Sequence, residues 1–154
     1  MKPLRIGLLG IGTVGGGTFD VLTRNAEEIS RRAGRPITIT HVADKNTALA
    51  NQVVAGRATV TDDAFGVVRN PDIDVVVELI GGYGVAKQLM LEAINNGKHV
   101  VTANKALLAL HGNEIFAAAR AKGVIVAFEA AVAGGIPIIK ALREGLVANR
   151  IEWI

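Results

Sequence analysis

Glycines at positions 10, 12 and 15 form the pattern G-x-G-x-x-G, directly after the apolar run of residues 4–9 and directly before an apolar pattern of helical period. Glycines spaced this way suit the recognition of a dinucleotide. Gly10 permits a tight turn from strand to helix, Gly12 lets the main chain approach a pyrophosphate, and Gly15 lets the helix lie close against the strand. The phosphates would rest on the unpaired N–H groups of the helix's first turn. Gly10, Ile11, Gly12, Thr13, Val14 and Gly15 are therefore the residues expected to hold them. Asp44 closes the β-branched run of residues 37–43, where an acidic side chain can accept hydrogen bonds from the adenosine ribose. It falls 29 residues beyond Gly15, against about 20 in the usual fingerprint. A first helix lengthened by two turns over residues 25–35 would absorb the excess. Asp44 favours NAD, whereas its neighbour Lys45 could neutralise a 2′-phosphate and admit NADP. The plainer alternative for Asp44 is a capping residue in an ordinary turn.

Further groups gather at expected strand ends. The run Asp74-Val-Val-Val-Glu-Leu-Ile80 stops at Gly81-Gly82, so Ile80 and Gly81 should border the ligand, because such sheets bind ligands at their carboxyl ends. Glu78 lies inside this apolar run, and a buried hydrogen-bonding role is expected for it ahead of catalysis. Residues 98–102 form another strand, ending at Thr102 and followed by Ala103-Asn104-Lys105. Thr102 and Lys105 are thus candidate cofactor contacts, and Lys105 and the Asn104 amide could reach the cofactor or a substrate oxygen. His41, His99 and His111 have no further ligands at metal spacing and are read as structural or surface residues.

The elements that must carry these groups alternate along the chain. Strands are expected over residues 4–9, 37–43, 74–80, 98–102 and 124–128, with helices after each. Gly34 and Pro36 close the first helix, Asn95-Asn96-Gly97 the one after residue 82, and Gly123 the one starting near Leu107. Thr61-Asp62-Asp63 could cap a short helix reaching Arg69. A helix with Ile136, Ile139, Leu142 and Leu146 on one side follows the turn at 129–137, and residues 149–154 could open another strand. The pattern implies an α/β, Rossmann-like doubly wound parallel sheet of order 3-2-1-4-5.

Bulk properties agree. The 154 residues suit one domain with a sizeable core, and half are apolar while only 4% are aromatic, as in parallel sheets built from Val, Ile, Leu and Ala. The absence of cysteine removes disulfides, thiolate nucleophiles and Cys-ligated zinc, and fits a cytoplasmic protein. No run approaches a membrane span and no signal peptide is visible. The net charge of +3 comes from scattered residues. The single cluster, Arg31, Arg32 and Arg35, reads as a solvated helix end, so neither nucleic acid nor membrane is an expected partner.

Taken in order, GIGTVGGG, ADKN, VVVELIGG, GKHVVTANKALLA and FEAAVAGGIPIIKALREGL resemble homoserine dehydrogenase across almost the whole chain. The resemblance implies an NAD(P)-dependent oxidoreductase interconverting L-homoserine and L-aspartate 4-semialdehyde, on the route to threonine, isoleucine and methionine. It implies that Lys105 is the cofactor-side lysine, sometimes given a part in catalysis. It also implies a monovalent-cation site, usually sodium, on Glu129, Val132, Gly134 and Ile136; without the resemblance that stretch is a glycine-rich entry into a helix. By the same resemblance, residues 1–130 are the NAD(P)-binding domain and 131–154 open the substrate domain. The homoserine-binding residues, the catalytic Asp and Lys and the homodimer contacts would lie beyond residue 154. Two other functions compete. The glucose–fructose oxidoreductase type shares a G-K-H-V strand but continues into Glu-Lys-Pro rather than Thr-Ala-Asn-Lys105. A non-catalytic nucleotide-binding module is the alternative from a different class.

Overall fold

The computed structural model describes residues 1–152. Six parallel strands form one sheet in the order β3-β2-β1-β4-β5-β6. They are β1 (Leu4–Leu9), β2 (Ile37–Ala43), β3 (Thr59–Thr61), β4 (Val75–Glu78), β5 (His99–Thr102) and β6 (Val126–Ala127). The doubly wound parallel class is as expected, but the strand count is corrected. Thr59–Thr61 is a strand that the sequence did not reveal, and the run at 74–80 is the fourth strand, beside β1. β3 was illegible because it is three residues long, carries one apolar side chain and lies at the sheet edge.

Helices cover the sheet in two layers, each closing its own core. α4 (Ala64–Arg69), α5 (Gly84–Asn95) and α6 (Lys105–Lys122) pack through Val67, Leu89, Ile94, Leu107 and Ile115 onto Leu9, Val76, Val100 and Val126. On the opposite face, α1 (Thr13–Arg24) and α3 (Thr47–Val54) pack through Phe19, Ala50 and Val54 onto Ile6, Leu8, Ile39, Val42, Val75 and Val77. Successive β1 and β4 residues therefore face different cores, which is why both strands read as continuous apolar runs. Along α1, a groove of about 800 Å³ runs over Val75, Val77, Val101, Ile125 and Ala127.

The long first helix expected from the Asp44 spacing is two helices. α1 ends at Arg24, Asn25 breaks the chain, and α2 (Ala26–Ala33) uses up the remaining residues before the left-handed Gly34. The break falls where the apolar face of α1 runs out: α2 buries no residue fully and carries Arg31 and Arg32 paired to Glu28. Asp63 caps α4 by accepting the Gly66 N–H at 2.8 Å. Lys98 is almost fully buried before β5, donating to the Asn70 and Ile73 carbonyls at 2.6 and 2.7 Å.

The C-terminal segment departs further from expectation. A 3₁₀ turn at Glu129–Ala131 precedes α7 (Ile138–Lys140), which widens into π-type turns over Ala141–Gly145. Ile136 lies before this helix and is 64% exposed, so it does not share a helical face with Ile139. Residues 149–152 form no strand. Trp153 and Ile154, the end of the stretch expected to begin one, lie outside the described residues.

Candidate functional site

The site grows from the crossing of β1 and α1. Gly10 turns the chain with φ +92°, and a Cβ there would meet the Leu79 carbonyl oxygen at 2.8 Å. A Cβ at Gly15 would overlap the Gly10 carbonyl oxygen, so the helix reaches the strand only through glycine. Gly12 differs: a Cβ there meets no heavy atom within 4 Å. It is the N-cap of α1, and neither a capping side chain nor an acidic first turn occupies that end. The helix thus presents its N-terminus to open space, as an anion site requires. Thr13 and Val14 are exposed on this turn, while Ile11 is buried.

Asp44 stands one residue beyond β2 and joins the two expected parts of the site. Its Oδ2 accepts the Ile11 N–H at 2.7 Å and its Oδ1 accepts the Asn46 N–H at 2.8 Å. The carboxylate thereby braces the glycine loop from the side, and each oxygen keeps lone-pair capacity for a further donor. Lys45 is exposed beside it. Gly10, Gly12, Asp44, Lys45 and Ile80 share the lining of a cavity of about 420 Å³ with Asp62, Asp63, Phe65, Leu79 and Val85. Asp62, Asp63 and Phe65 were not foreseen as lining residues, because they follow the unrecognised strand β3.

At the other half of the carboxyl edge, Glu78 is fully buried at the end of β4. Its Oε1 accepts the Ile80 and Gly81 N–H groups at 2.9 and 3.1 Å, and its Oε2 accepts the Thr102 hydroxyl at 2.8 Å. This is the hydrogen-bonding role expected for it. Thr102 is equally buried, and its hydroxyl oxygen also accepts the Asn104 N–H at 3.0 Å. Asn104 caps α6 through the Leu107 N–H at 3.1 Å and donates its Nδ2–H to the Gly82 carbonyl at 2.7 Å. Lys105 is the first residue of α6 and is exposed. The sequence pointed to Thr102, Lys105 and the Asn104 amide at this strand end but not to the capping of α6 by Asn104, for which its position one residue before a helix was the available signal.

Glu129 serves the segment after β6. Its two carboxylate oxygens accept the Ile139 and Lys140 N–H groups at 2.9 and 3.0 Å. Between them, Ala133 and Gly134 take left-handed φ values of 54° and 59°, so the chain from Val132 to Ile136 is irregular. The Ile136 carbonyl accepts the Ile138 N–H at 2.8 Å. The histidines sit in local contacts: His41 beside Thr40 and Asn70, His99 accepting the Ile125 N–H, and His111 near Glu114.

A parallel doubly wound sheet, with its glycine turn between β1 and α1 and an acidic residue after β2, defines a dinucleotide-binding domain of the Rossmann type. Residues 10–129 match the sequence profile of the NAD-binding domain of homoserine dehydrogenase. The chain belongs to the homoserine dehydrogenase family. It is 66% identical over its whole length to a homoserine dehydrogenase of Pseudomonas aeruginosa, of which it covers 35%. A crystal structure of a homoserine dehydrogenase from Thiobacillus denitrificans superposes with a TM-score of 0.94 at 65% identity, over 99% of this chain and 35% of that one. A Staphylococcus aureus homoserine dehydrogenase gives 0.78 at 33% identity, over 85% of this chain and 34% of that one. The chain thus spans about a third of the length of the relatives it matches.

Proposed function

We propose that this chain is the cofactor-binding portion of an NAD(P)-dependent homoserine dehydrogenase, interconverting L-homoserine and L-aspartate 4-semialdehyde. The observation that carries the reading is the glycine turn itself: open space at Gly12, obligatory close packing at Gly10 and Gly15, and the Asp44 carboxylate braced on the Ile11 N–H. The α1 N-terminus would hold the pyrophosphate, Asp44 the adenosine ribose, and Ile80 and Gly81 would border the cofactor at the end of β4. When bound, the nicotinamide supplies the hydride-transferring group. Lys105, exposed at the start of α6, is the chain's candidate for orienting a substrate oxygen or moving its proton.

A lone lysine cannot also hold the substrate's carboxylate and amino group, and misplacement by about 1 Å can cost on the order of 10²-fold in rate. Residues 1–130 are read as the cofactor domain, with 131–154 leading into a substrate and dimer-forming portion carried by longer family members. The family resemblance extends the reading to a sodium ion on Glu129, Val132, Gly134 and Ile136. One carboxylate with several carbonyls along irregular backbone is suitable donor chemistry for a hard cation. The setting would be cytoplasmic, with a small-molecule substrate rather than nucleic acid or membrane. Among the described residues no helix is long and apolar enough to cross a membrane.

Calorimetric titration with NAD(H) and NADP(H) tests the binding reading. Wild-type chain should bind, and Gly12→Val should not. Unchanged affinity in Gly12→Val would remove the site.

A further inference from the structure

We infer that Glu78, Thr102 and Asn104 form a latch that, through the loop at Gly81 and Gly82 and the start of α6, positions the nicotinamide end of the site. The inference rests on the cofactor reading above and goes beyond it by giving these three buried polar side chains a positioning role. The loop after β4 passes through Gly81 and Gly82 with φ values of 78° and 74°, outside any sheet ladder. Both of its sides are tied to the latch: the Ile80 and Gly81 amides to Glu78, and the Gly82 carbonyl to Asn104. The Thr102 hydroxyl connects the two, donating to Glu78 and accepting from the Asn104 amide. Asn104 then starts α6, so a single hydrogen-bonded path runs from the β4 loop to the turn that carries Lys105.

The composition of this path argues for a positioning role. Glu78 and Thr102 are fully buried and Asn104 is 9% exposed, so every bond lies in a low-dielectric setting where a missing partner is costly. Among the described residues Glu78 forms no ion pair; two amides and a hydroxyl satisfy it. A buried polar group is weak evidence for stability, since apolar residues of similar size often do as well. Its effect here is to fix one shape of a glycine loop that would otherwise have many. In a doubly wound sheet β1–β3 hold one mononucleotide and β4–β6 the other. All three latch residues belong to the second half, whereas Gly10–Gly15 and Asp44 belong to the first.

The test compares NADH with ADP, which carries only the adenosine half. Both are titrated by calorimetry into wild type, Thr102→Val and Thr102→Ser. Thr102→Val keeps the side chain's shape and should weaken NADH roughly tenfold, the effect of losing the two buried hydrogen bonds through which the hydroxyl joins Glu78 to Asn104. ADP affinity should stay within about twofold, because Ile80, which borders the Asp44 cavity, keeps its N–H on Glu78 Oε1 when the Thr102 hydroxyl is removed from Oε2. Thr102→Ser restores the hydroxyl and should bind NADH as wild type does. If Thr102→Val does not fold, Asn104→Ser replaces it, keeping a helix cap while releasing Gly82, with the same two expectations. Equal weakening of NADH and ADP would overturn the latch in favour of a general folding role. Unchanged NADH affinity, with both ligands binding wild type, would overturn the latch alone. Failure of wild type to bind either ligand would overturn the cofactor reading and the latch with it.

Discussion

Gly12 and Gly15 stand three residues apart and should respond to substitution in opposite ways. A side chain at Gly15 has nowhere to go, because its Cβ would overlap the Gly10 carbonyl oxygen. Gly15→Ala should destabilise the fold by about 3 kcal/mol, the upper part of the usual overpacking range, measured as a lower urea midpoint. At Gly12 the added atoms enter open space and leave the packing intact. Gly12→Val should cost about 1 kcal/mol or less in stability, from a poorer N-cap, while abolishing dinucleotide binding. Asp44 combines both kinds of role. Asp44→Ala should weaken NAD more than NADP, since only NAD presents a free 2′-hydroxyl, and it should also loosen the loop by freeing the Ile11 N–H. Equal losses for the two cofactors would show that the carboxylate acts only as a brace.

At the scale of elements, Lys98 connects the start of β5 to the chain just before β4. Burial pulls its ammonium below the ordinary lysine value of 10.5, with Asp74 and Asp72 opposing the shift. The unfolded chain therefore holds this proton more tightly than the folded one. Between the lowered folded pKa and 10.5, stability from this group rises with pH. Lys98→Met strands the Asn70 and Ile73 carbonyls and should cost about 1–3 kcal/mol near neutrality. Urea midpoints taken across the alkaline range should show the gap between wild type and Lys98→Met widening as pH climbs toward 10.5. A constant gap would mean that the burial of Lys98 is not coupled to its proton.

For the whole molecule, the two mononucleotide halves meet between β1 and β4, yet the described chain supplies one exposed candidate for proton transfer, Lys105. Homoserine-dependent reduction of NAD(P) by the 154-residue chain should stay at assay background. Joined to the additional length found in its relatives, the chain should become active, and Lys105→Ala should then lose on the order of 10²-fold or more in kcat. Turnover by the chain alone would redirect attention to Glu78 and Glu129. Sodium offers a separate check, because Glu129→Gln should remove any dependence of thermal midpoint on sodium that wild type shows. No sodium dependence in wild type would count against the cation reading.

The sequence alone was sufficient for the sheet class and the glycine turn, because both depend on local features: apolar runs bounded by glycine, and glycines whose spacing matches one turn geometry. It also indicated that Glu78 would be buried and hydrogen-bonded, since a carboxylate within Val-Val-Val-Glu-Leu-Ile has no other stable place. Other features depended on tertiary structure. β3 exists because β2 offers an unpaired edge to three residues with little β pattern of their own. The break at Asn25 follows from where the core beneath α1 ends, which no periodicity records. The connection from Glu78 through Thr102 to Asn104 spans 26 positions in sequence, and only the parallel pairing of β4 with β5 brings its parts together. Residue types can suggest which groups need partners, but the choice of partner is made by the sheet.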